Sequence, residues 1–141
     1  MSTPAGTVLE RDGATYRVAT ASGEVRAVLR GERKIARVSV TFLGPERMRR
    51  LNREYKGRNR PTDVLAFSLR QPDGALLAEL YICASEAPRE ARSRDLPLRE
   101  ELIRLVVHGT LHALGHDRPE GRGRERSAMW RRQERYVGAL A

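Results

Sequence analysis

Two histidines four residues apart, His108 and His112, carry the clearest chemistry in this sequence. On an α-helix, residues i and i+4 lie on one face with their Cβ atoms roughly 5–6 Å apart. Imidazoles placed in this way can bind one metal ion through nitrogen bonds of about 2.0–2.1 Å. Gly115 is expected to end the helix, so that the chain turns and can bring His116 to the same ion. The spacing therefore predicts a metal site where a buried helix ends.

The identity of the metal and the reaction are left open by this spacing. Neutral imidazole nitrogen suits Zn²⁺, Ni²⁺, Cu²⁺ or iron. Zinc proteases carry the similar pattern H-E-x-x-H, but Gly109 stands here in place of their general-base glutamate. That absence argues against peptide hydrolysis by the usual mechanism. Without a metal, the alternatives are structural roles for His108 and His112 and an exposed turn position for His116.

The helix that carries the pair is predicted from Leu98 to Leu114, because apolar residues cover most of its circumference, as they do in buried helices. Alternation of Val38, Val40 and Phe42 with polar residues predicts a strand from Ala36 to Leu43 with one buried face. Further strands are predicted at 64–69 and 76–83, and further helices at 45–55, 87–94 and 124–140.

Two of these helices have faces that indicate how they pack. The helix at 45–55 is expected to face inward through Met48, Leu51 and Tyr55. The last helix is expected to contact the body of the protein through Met129, Gln133, Tyr136, Val137 and Leu140. Both faces follow the helical repeat of about 3.6 residues.

The first thirty residues have a weaker pattern. Asp12-Gly13 favours a tight hairpin turn, and Ser22 is a candidate N-cap for a short helix that reaches Leu29. The sequence contains no internal repeat and no evident domain boundary. We therefore predict one α+β domain over all 141 residues, in which a small mixed β-sheet packs around a central buried helix that carries the histidine pair.

The charge of the chain indicates the class of its partner. Lys and Arg number 27 against 18 Asp and Glu, which gives a net charge of +9. Seven of the basic residues lie between positions 47 and 60. Such an excess favours a polyanion, either nucleic acid or an anionic membrane surface. The alternative is a GC-rich genome that uses Arg in place of Lys, since lysine occurs only at positions 34 and 56.

Cysteine content and hydropathy predict a cytoplasmic location. Cys83 is the single cysteine, so it cannot form a disulfide within the chain, which suits a reducing compartment. The N-terminal residues lack the basic-then-apolar order of a signal peptide. No apolar run approaches the roughly 18 residues that span a bilayer.

Three segments in combination resemble the YbeY endoribonuclease family, also called the rRNA maturation factor family. They are LNREYKGRNRPTDVLAFSL at 51–69, AELYICASEA at 78–87 and HGTLHALGHD at 108–117. The family's patterns are L-N-x-x-Y-R, P-T-D-V-L-S-F and H-G-x-L-H-x-x-G-x-D-H. The resemblance covers about residues 35–137. It implies a metal-dependent endoribonuclease specific for single-stranded RNA, with Zn²⁺ as cofactor, acting in 16S rRNA 3′-end processing and ribosome quality control.

The resemblance places the first two family ligands on His108 and His112, and the third on Arg118. Because guanidinium has no lone pair to offer, Arg118 cannot replace a histidine ligand. Three alternatives follow: His116 supplies the third ligand, Asp117 supplies a carboxylate oxygen, or the metal site is incomplete and Arg118 binds a phosphate instead.

The resemblance also implies roles for other residues of this sequence, some of which differ from the family's pattern. Lys56 stands where the family has Arg, which keeps the charge but loses the bidentate fork. Lys56 and Arg118 are candidates to stabilise charge on a phosphate. Asp117 is the nearest candidate general base, or it orients a histidine. Asp63 is expected near the cleft by resemblance, with a turn or capping role as the alternative.

Three functions compete on these residues. The first is a metal-dependent RNA hydrolase whose partners are single-stranded RNA, 16S rRNA and the small ribosomal subunit, with neither DNA nor membrane expected. The second is a ribosome-binding maturation factor with weakened catalysis, which Arg118 favours. The third is a metallohydrolase of small or peptide substrates, which Gly109 and the charge of +9 disfavour.

Overall fold

A single mixed sheet and the helices around it make up the described part of the chain. The computed structural model describes residues 10–12, 15–19, 23–59, 62–116 and 128–141. The strands are β1 (Glu10–Asp12), β2 (Thr15–Ala19), β3 (Ala36–Leu43), β4 (Val64–Arg70) and β5 (Leu76–Cys83). The helices are α1 (Gly23–Glu32), α2 (Pro45–Lys56), α3 (Ala87–Ser93), α4 (Leu98–Ala113) and α5 (Ala128–Leu140).

The sheet has the strand order β1-β2-β3-β5-β4. β3 and β5 are parallel, and the other neighbouring pairs are antiparallel. Because side chains alternate along a strand, the part of the sheet formed by β3, β5 and β4 contacts helices on both faces. Val40 and Leu80 pack on the side of α1 and α4, whereas Leu65 and Cys83 pack with Met48 of α2 on the other side.

Helix α4 is the centre of the fold. It contacts α1, α3 and α5 as well as β4 and β5, and Val107 and Leu111 have no exposed surface. The predicted α+β class, with a mixed sheet packed around this helix, is confirmed. The helix is not apolar all round, however, because Glu101 and Arg104 are also buried. They pair with each other, which is what makes their burial tolerable.

The predicted strands at 36–43 and 76–83 have the observed bounds, and α4 ends one residue before the predicted Leu114. The start of the last helix differs: α5 begins at Ala128 among the described residues, and positions 124–127 of the prediction lie outside them. In the parts of the chain that the structure describes, none of the helices combines the length and the apolar character needed to cross a bilayer.

The inward face of α2 differs from the prediction. Met48 is buried, but Tyr55 is 59% exposed and Asn52 is buried instead. The helix is rotated so that the i, i+4 row of Met48 and Asn52 faces the protein. Tyr55 packs only its ring edge against Phe67, with ring centroids 5.3 Å apart. Phe67 lies on β4, an edge strand of the sheet, so one side of the tyrosine remains in solvent.

Gly109 allows α4 to approach the sheet closely. A Cβ atom at this position would lie 3.1 Å from Cγ1 of Val64 and 3.2 Å from Cδ1 of Leu80. Leu80 is fully buried, so it has little room to move. The residue that stands in place of the protease glutamate is therefore a packing position against β4 and β5. A side chain there would point into the sheet.

The G109A variant tests this contact, with G138A as its matched control. Overpacking costs about 1–3 kcal/mol, and alanine regains about 1 kcal/mol of helix propensity. We expect G109A to lie between neutral and about 2 kcal/mol less stable than the wild type in denaturant unfolding. A Cβ at Gly138 meets nothing within 4 Å, so G138A should gain up to about 1 kcal/mol. Equal stabilisation of both variants would contradict the close packing at Gly109.

Candidate functional site

The end of α4 determines where its histidines point. Gly115 has a φ of 104°, a conformation that glycine adopts without steric cost. Its N–H donates to the carbonyl of His112 at 3.0 Å, and the N–H of His116 donates to the carbonyl of Leu111 at 3.0 Å. This pair of bonds is a Schellman ending. As the sequence predicts, Gly115 ends the helix, and it carries His116 out of the helical repeat.

His108 and His112 lie together on one face of α4. Their ring centroids are 6.3 Å apart and the ring planes are inclined by 23°. His108 is half-buried, whereas His112 is exposed. Neighbouring rings on one helix face can direct one nitrogen each to a common ion, as Zn²⁺ requires. The described structure thus brings together the two ligands that the spacing predicts.

A series of hydrogen-bonded polar groups, partly or fully buried, lies behind His108. Its Nδ1 is 2.8 Å from Oε1 of Gln133, and Nε2 of Gln133 donates to Glu134 at 3.0 Å. Glu134 accepts two bonds from Arg104, at 2.9 and 2.8 Å. Arg104 also donates to Glu100 and Glu101. These hydrogen bonds connect the candidate ligand on α4 to two neighbouring residues of α5.

The charges of Arg104 and Glu134 stabilise each other. The hydrogen bond to Glu134 raises the pKa of Arg104 further above its already high value, against the effect of burial. Burial raises the pKa of Glu134, but hydrogen bonds from Arg104 and Gln133 outweigh it and leave the pKa lowered. Both groups are therefore ionised near neutral pH. Glu134 consequently acts only as a hydrogen-bond acceptor.

A basic groove opens beside His112. It has a volume of about 450 Å³ and is lined by Asn52, Lys56, Arg58, Thr62, Val64, Leu65 and His112. Lys56 lies in the last turn of α2, with its Nζ 5.4 Å from the centroid of the Phe67 ring. The structure therefore places Lys56 and His112, which are 56 residues apart in sequence, on the walls of one groove.

A smaller polar cavity of about 130 Å³ lies on the His108 side. Asp63, Arg94, Trp130 and Gln133 are among the residues that line it, together with His108. Thr62 and Val64 line both this cavity and the basic groove. Asp63 thus lies at the cleft, as the resemblance implies, and its carbonyl also accepts the N–H of Cys83 at 2.8 Å.

His116 is directed to a different partner. Its Nε2 lies 2.8 Å from Oε1 of Glu32, at the end of α1. Glu32 also accepts from Arg132 at 3.0 Å and from the hydroxyl of Tyr136 at 2.5 Å. Burial raises the pKa of Glu32, but the bonds from Tyr136, His116 and Arg132 outweigh it and lower the pKa. Burial, with the bond to Glu32, raises the pKa of Tyr136 to about 12.

The donor set fits a divalent metal through two imidazoles. Within the ranges that the structure describes, no group of three or more His, Cys, Asp or Glu side chains is placed to hold an ion. Asp117 and Arg118, the other candidates from the sequence, lie outside the described residues. His116 uses Nε2 for Glu32, so it could bind the same ion through Nδ1, or through Nε2 once that bond is broken.

These elements and motifs correspond to a known family. A family model described as Endoribonuclease YbeY matches residues 13–141. The chain belongs to the YbeY family. The match extends beyond the motifs at 51–69, 78–87 and 108–117 and includes β2 and α1.

Curated relatives named Endoribonuclease YbeY support this membership of the YbeY family. The protein from Desulfitobacterium hafniense is 39% identical over 126 residues, which cover 82% of this chain and 78% of that protein. The protein from an Anaeromyxobacter species is 40% identical over 108 residues, which cover 75% of this chain and 53% of that protein. The chain spans between 53% and 63% of the length of several such relatives.

A solved structure supports the fold. The solution structure of a protein from Thermotoga maritima matches with a TM-score of 0.56 and 29% sequence identity. The match covers 83% of this chain and 76% of that one. The α+β arrangement around α4 is therefore shared with a natural protein of known structure.

Sequence reasoning missed the partners of the histidines. Gln133 is expected on the inward face of α5, but nothing in the spacing indicates that it meets His108, 25 residues away. Glu32 lies 84 residues from His116. A usable signal was the presence of a polar residue, Gln133, on an otherwise apolar helix face. Such a residue must find a buried partner.

The H116A variant separates a structural role from a ligand role for His116. Because Nε2 is used by Glu32, we expect H116A to keep bound Zn²⁺ and to lose about 1–2 kcal/mol of unfolding free energy. Elemental analysis and thermal unfolding measure the two effects. H116Q, which can still donate to Glu32, should keep both the bound Zn²⁺ and the wild-type free energy of unfolding. Loss of Zn²⁺ in both variants would instead make His116 a ligand through Nδ1.

Proposed function

We propose that this chain is an endoribonuclease that cleaves single-stranded RNA with a divalent metal, Zn²⁺ first among the candidates, bound by His108 and His112. Its place is the cytoplasmic maturation of the 3′ end of 16S rRNA and the quality control of ribosomes. The partners are single-stranded RNA and the small ribosomal subunit, without DNA or a membrane. Membership of the YbeY family supports this proposal.

The observation that carries the proposal is the position of the histidine pair beside a basic groove. His112 forms part of the groove wall together with Lys56 and Arg58. A phosphodiester held by these cations would lie next to the metal ligands. Positive charge along a groove follows a nucleic-acid backbone and makes binding depend on salt. A small neutral substrate would gain nothing from these charges.

Each residue has a definite part in phosphodiester cleavage. A bound metal supplies Lewis acidity toward a phosphate oxygen and water. Lys56 stabilises negative charge that develops on the phosphate, as a point charge rather than as the two-pronged fork of an arginine. Arg118, which stands at a ligand position in the family pattern, would add a second cation. Asp117 accepts a proton or orients a histidine.

The third ligand distinguishes a complete metal site from an incomplete one. His116 supplies it only through Nδ1 or after its bond to Glu32 breaks, because Nε2 is used. Asp117 supplies it through a carboxylate oxygen, which Zn²⁺ accepts as readily as nitrogen. With neither, water and substrate complete the coordination, and binding of the metal is weaker.

A second candidate function is a ribosome-binding maturation factor with weakened catalysis. The observation that favours it is Arg118, which stands at the position of the third family histidine. This factor would keep the fold and the basic groove and would bind RNA without efficient cleavage. Hydrolysis of peptides is disfavoured, since Gly109 leaves no helix-borne carboxylate and its Cβ direction points into the sheet.

The H108A variant tests the nuclease. We expect cleavage of a labelled single-stranded RNA to fall by about 100-fold or more, because the metal loses a ligand. A chelator should abolish wild-type cleavage, and added Zn²⁺ should restore it in the wild type alone. K34A, which changes an exposed residue that lines neither cavity, serves as the control that leaves the candidate ligands intact. Cleavage by H108A at the wild-type rate would contradict the mechanism, and RNA binding without cleavage by the Zn²⁺-loaded wild type would favour the second candidate.

The K56A variant tests the groove, with K34A as its matched control. Lys34 is exposed and does not line the groove. We expect K56A to weaken RNA binding and to reduce the slope of log affinity against log salt by about 0.7, the value for one phosphate contact on a single strand. Fluorescence anisotropy in chelator over a salt series measures both. Equal slopes for K56A and K34A would place the RNA elsewhere.

A further inference from the structure

Gln133 connects His108 to the ion pair of Arg104 and Glu134, and its amide has one orientation that suits both neighbours. It is 2% exposed, and its two amide atoms contact different groups. Oε1 lies 2.8 Å from Nδ1 of His108, and Nε2 lies 3.0 Å from Oε2 of Glu134. Among the described residues, no buried side-chain nitrogen or oxygen lacks a hydrogen-bond partner.

Glu134 determines which end of the amide faces which neighbour. The Arg104 guanidinium binds both of its carboxylate oxygens, at 2.9 and 2.8 Å. An ionised carboxylate only accepts hydrogen bonds, so it requires the NH₂ group of Gln133. With the amide reversed, its carbonyl would face the carboxylate, so the buried amide of Gln133 would place one acceptor against another. Oε1 therefore faces His108.

The orientation of Gln133 in turn determines the tautomer of His108. An amide oxygen accepts but cannot donate, so Nδ1 of His108 must carry the hydrogen. In a neutral imidazole the other nitrogen, Nε2, is then unprotonated and is the one that can act as a metal ligand. We propose that Gln133 is a positioning residue that holds His108 as the Nδ1–H tautomer, so that Nε2 is the nitrogen offered to a divalent cation. This inference rests on the metal site of the proposed function.

The hydrogen bonds from Arg104 through Glu134 and Gln133 to His108 give α5 a direct part in the site. Arg104 and His108 lie on successive turns of α4, and Gln133 and Glu134 are adjacent on α5. The bond also limits rotation of the half-buried ring, since turning it would leave Oε1 of a buried amide without a donor. A ligand held in one tautomer and one rotamer binds metal more tightly than a free one.

The tautomer can be measured in the wild-type protein without any metal. In chelator-treated, ¹⁵N-labelled protein at a pH where His108 is neutral, two-bond ¹H–¹⁵N correlation spectra distinguish protonated from bare ring nitrogens. We expect a protonated Nδ1 and a bare Nε2 for His108. A bare Nδ1 would overturn the inference, and this result does not depend on the folding of any variant.

The Q133M variant tests the role of the amide. Methionine keeps the length of the side chain but cannot accept from Nδ1, so we expect His108 to populate both tautomers and the Kd for Zn²⁺ to rise about 10–100-fold. V137A, which truncates another buried side chain one turn later on α5, should lower stability but leave the tautomer and the Kd unchanged. A single Nδ1–H tautomer with wild-type affinity in Q133M would overturn the inference.

The two proposals fail in different ways. If the wild type binds no Zn²⁺, the proposed metal site is lost, while the tautomer in metal-free protein still supports or overturns the role of Gln133. If Zn²⁺ binds but Nδ1 is bare, the metal site stands and the positioning role is lost.

Discussion

The packing of α4 against the sheet at Gly109 is the contact on which the site depends. Because the helix backbone lies against Val64 and Leu80 without an intervening side chain, the orientation of the helix is determined. His108 precedes this contact and His112 follows it, and both line openings shared with Thr62 and Val64. The histidine pair is therefore held beside β4, at the edge of the sheet.

Two polar clusters secure the helices around α4. One joins Arg104 to Glu134 and Gln133, and the other joins Glu32 to Arg132, His116 and Tyr136. Both contain residues of α5, and Gln133 and Glu134 of the first lie between Arg132 and Tyr136 of the second, so the two clusters hold the same part of this helix. Buried charges cost free energy unless they are paired and fully hydrogen-bonded. The same requirement makes such clusters specific, because other dockings of α5 would leave ions without partners.

Two positions at which this sequence differs from the family pattern, 56 and 118, both carry positive charge. By the resemblance, Lys56 stands at an arginine position of the family pattern and Arg118 at a histidine position, so this sequence has one guanidinium fewer at the first position and one cation more at the second. The charge is redistributed rather than reduced. The proposed RNA substrate would meet a site with two imidazole ligands and a rearranged set of cations, and the role of Arg118 decides between efficient cleavage and binding.

The sequence by itself determined the features that depend on short separations. The alternation around Val40 gave a strand with the observed bounds, the i, i+4 spacing placed His108 and His112 on one face, and Gly115 ended the helix. Backbone geometry fixes such relations within a few residues. The tertiary structure alone decided that Asn52 is buried rather than Tyr55 and that Gln133 meets His108. Both features depend on how helices pack against the rest of the protein. That packing is set by many contacts between residues distant in sequence and not by any local spacing.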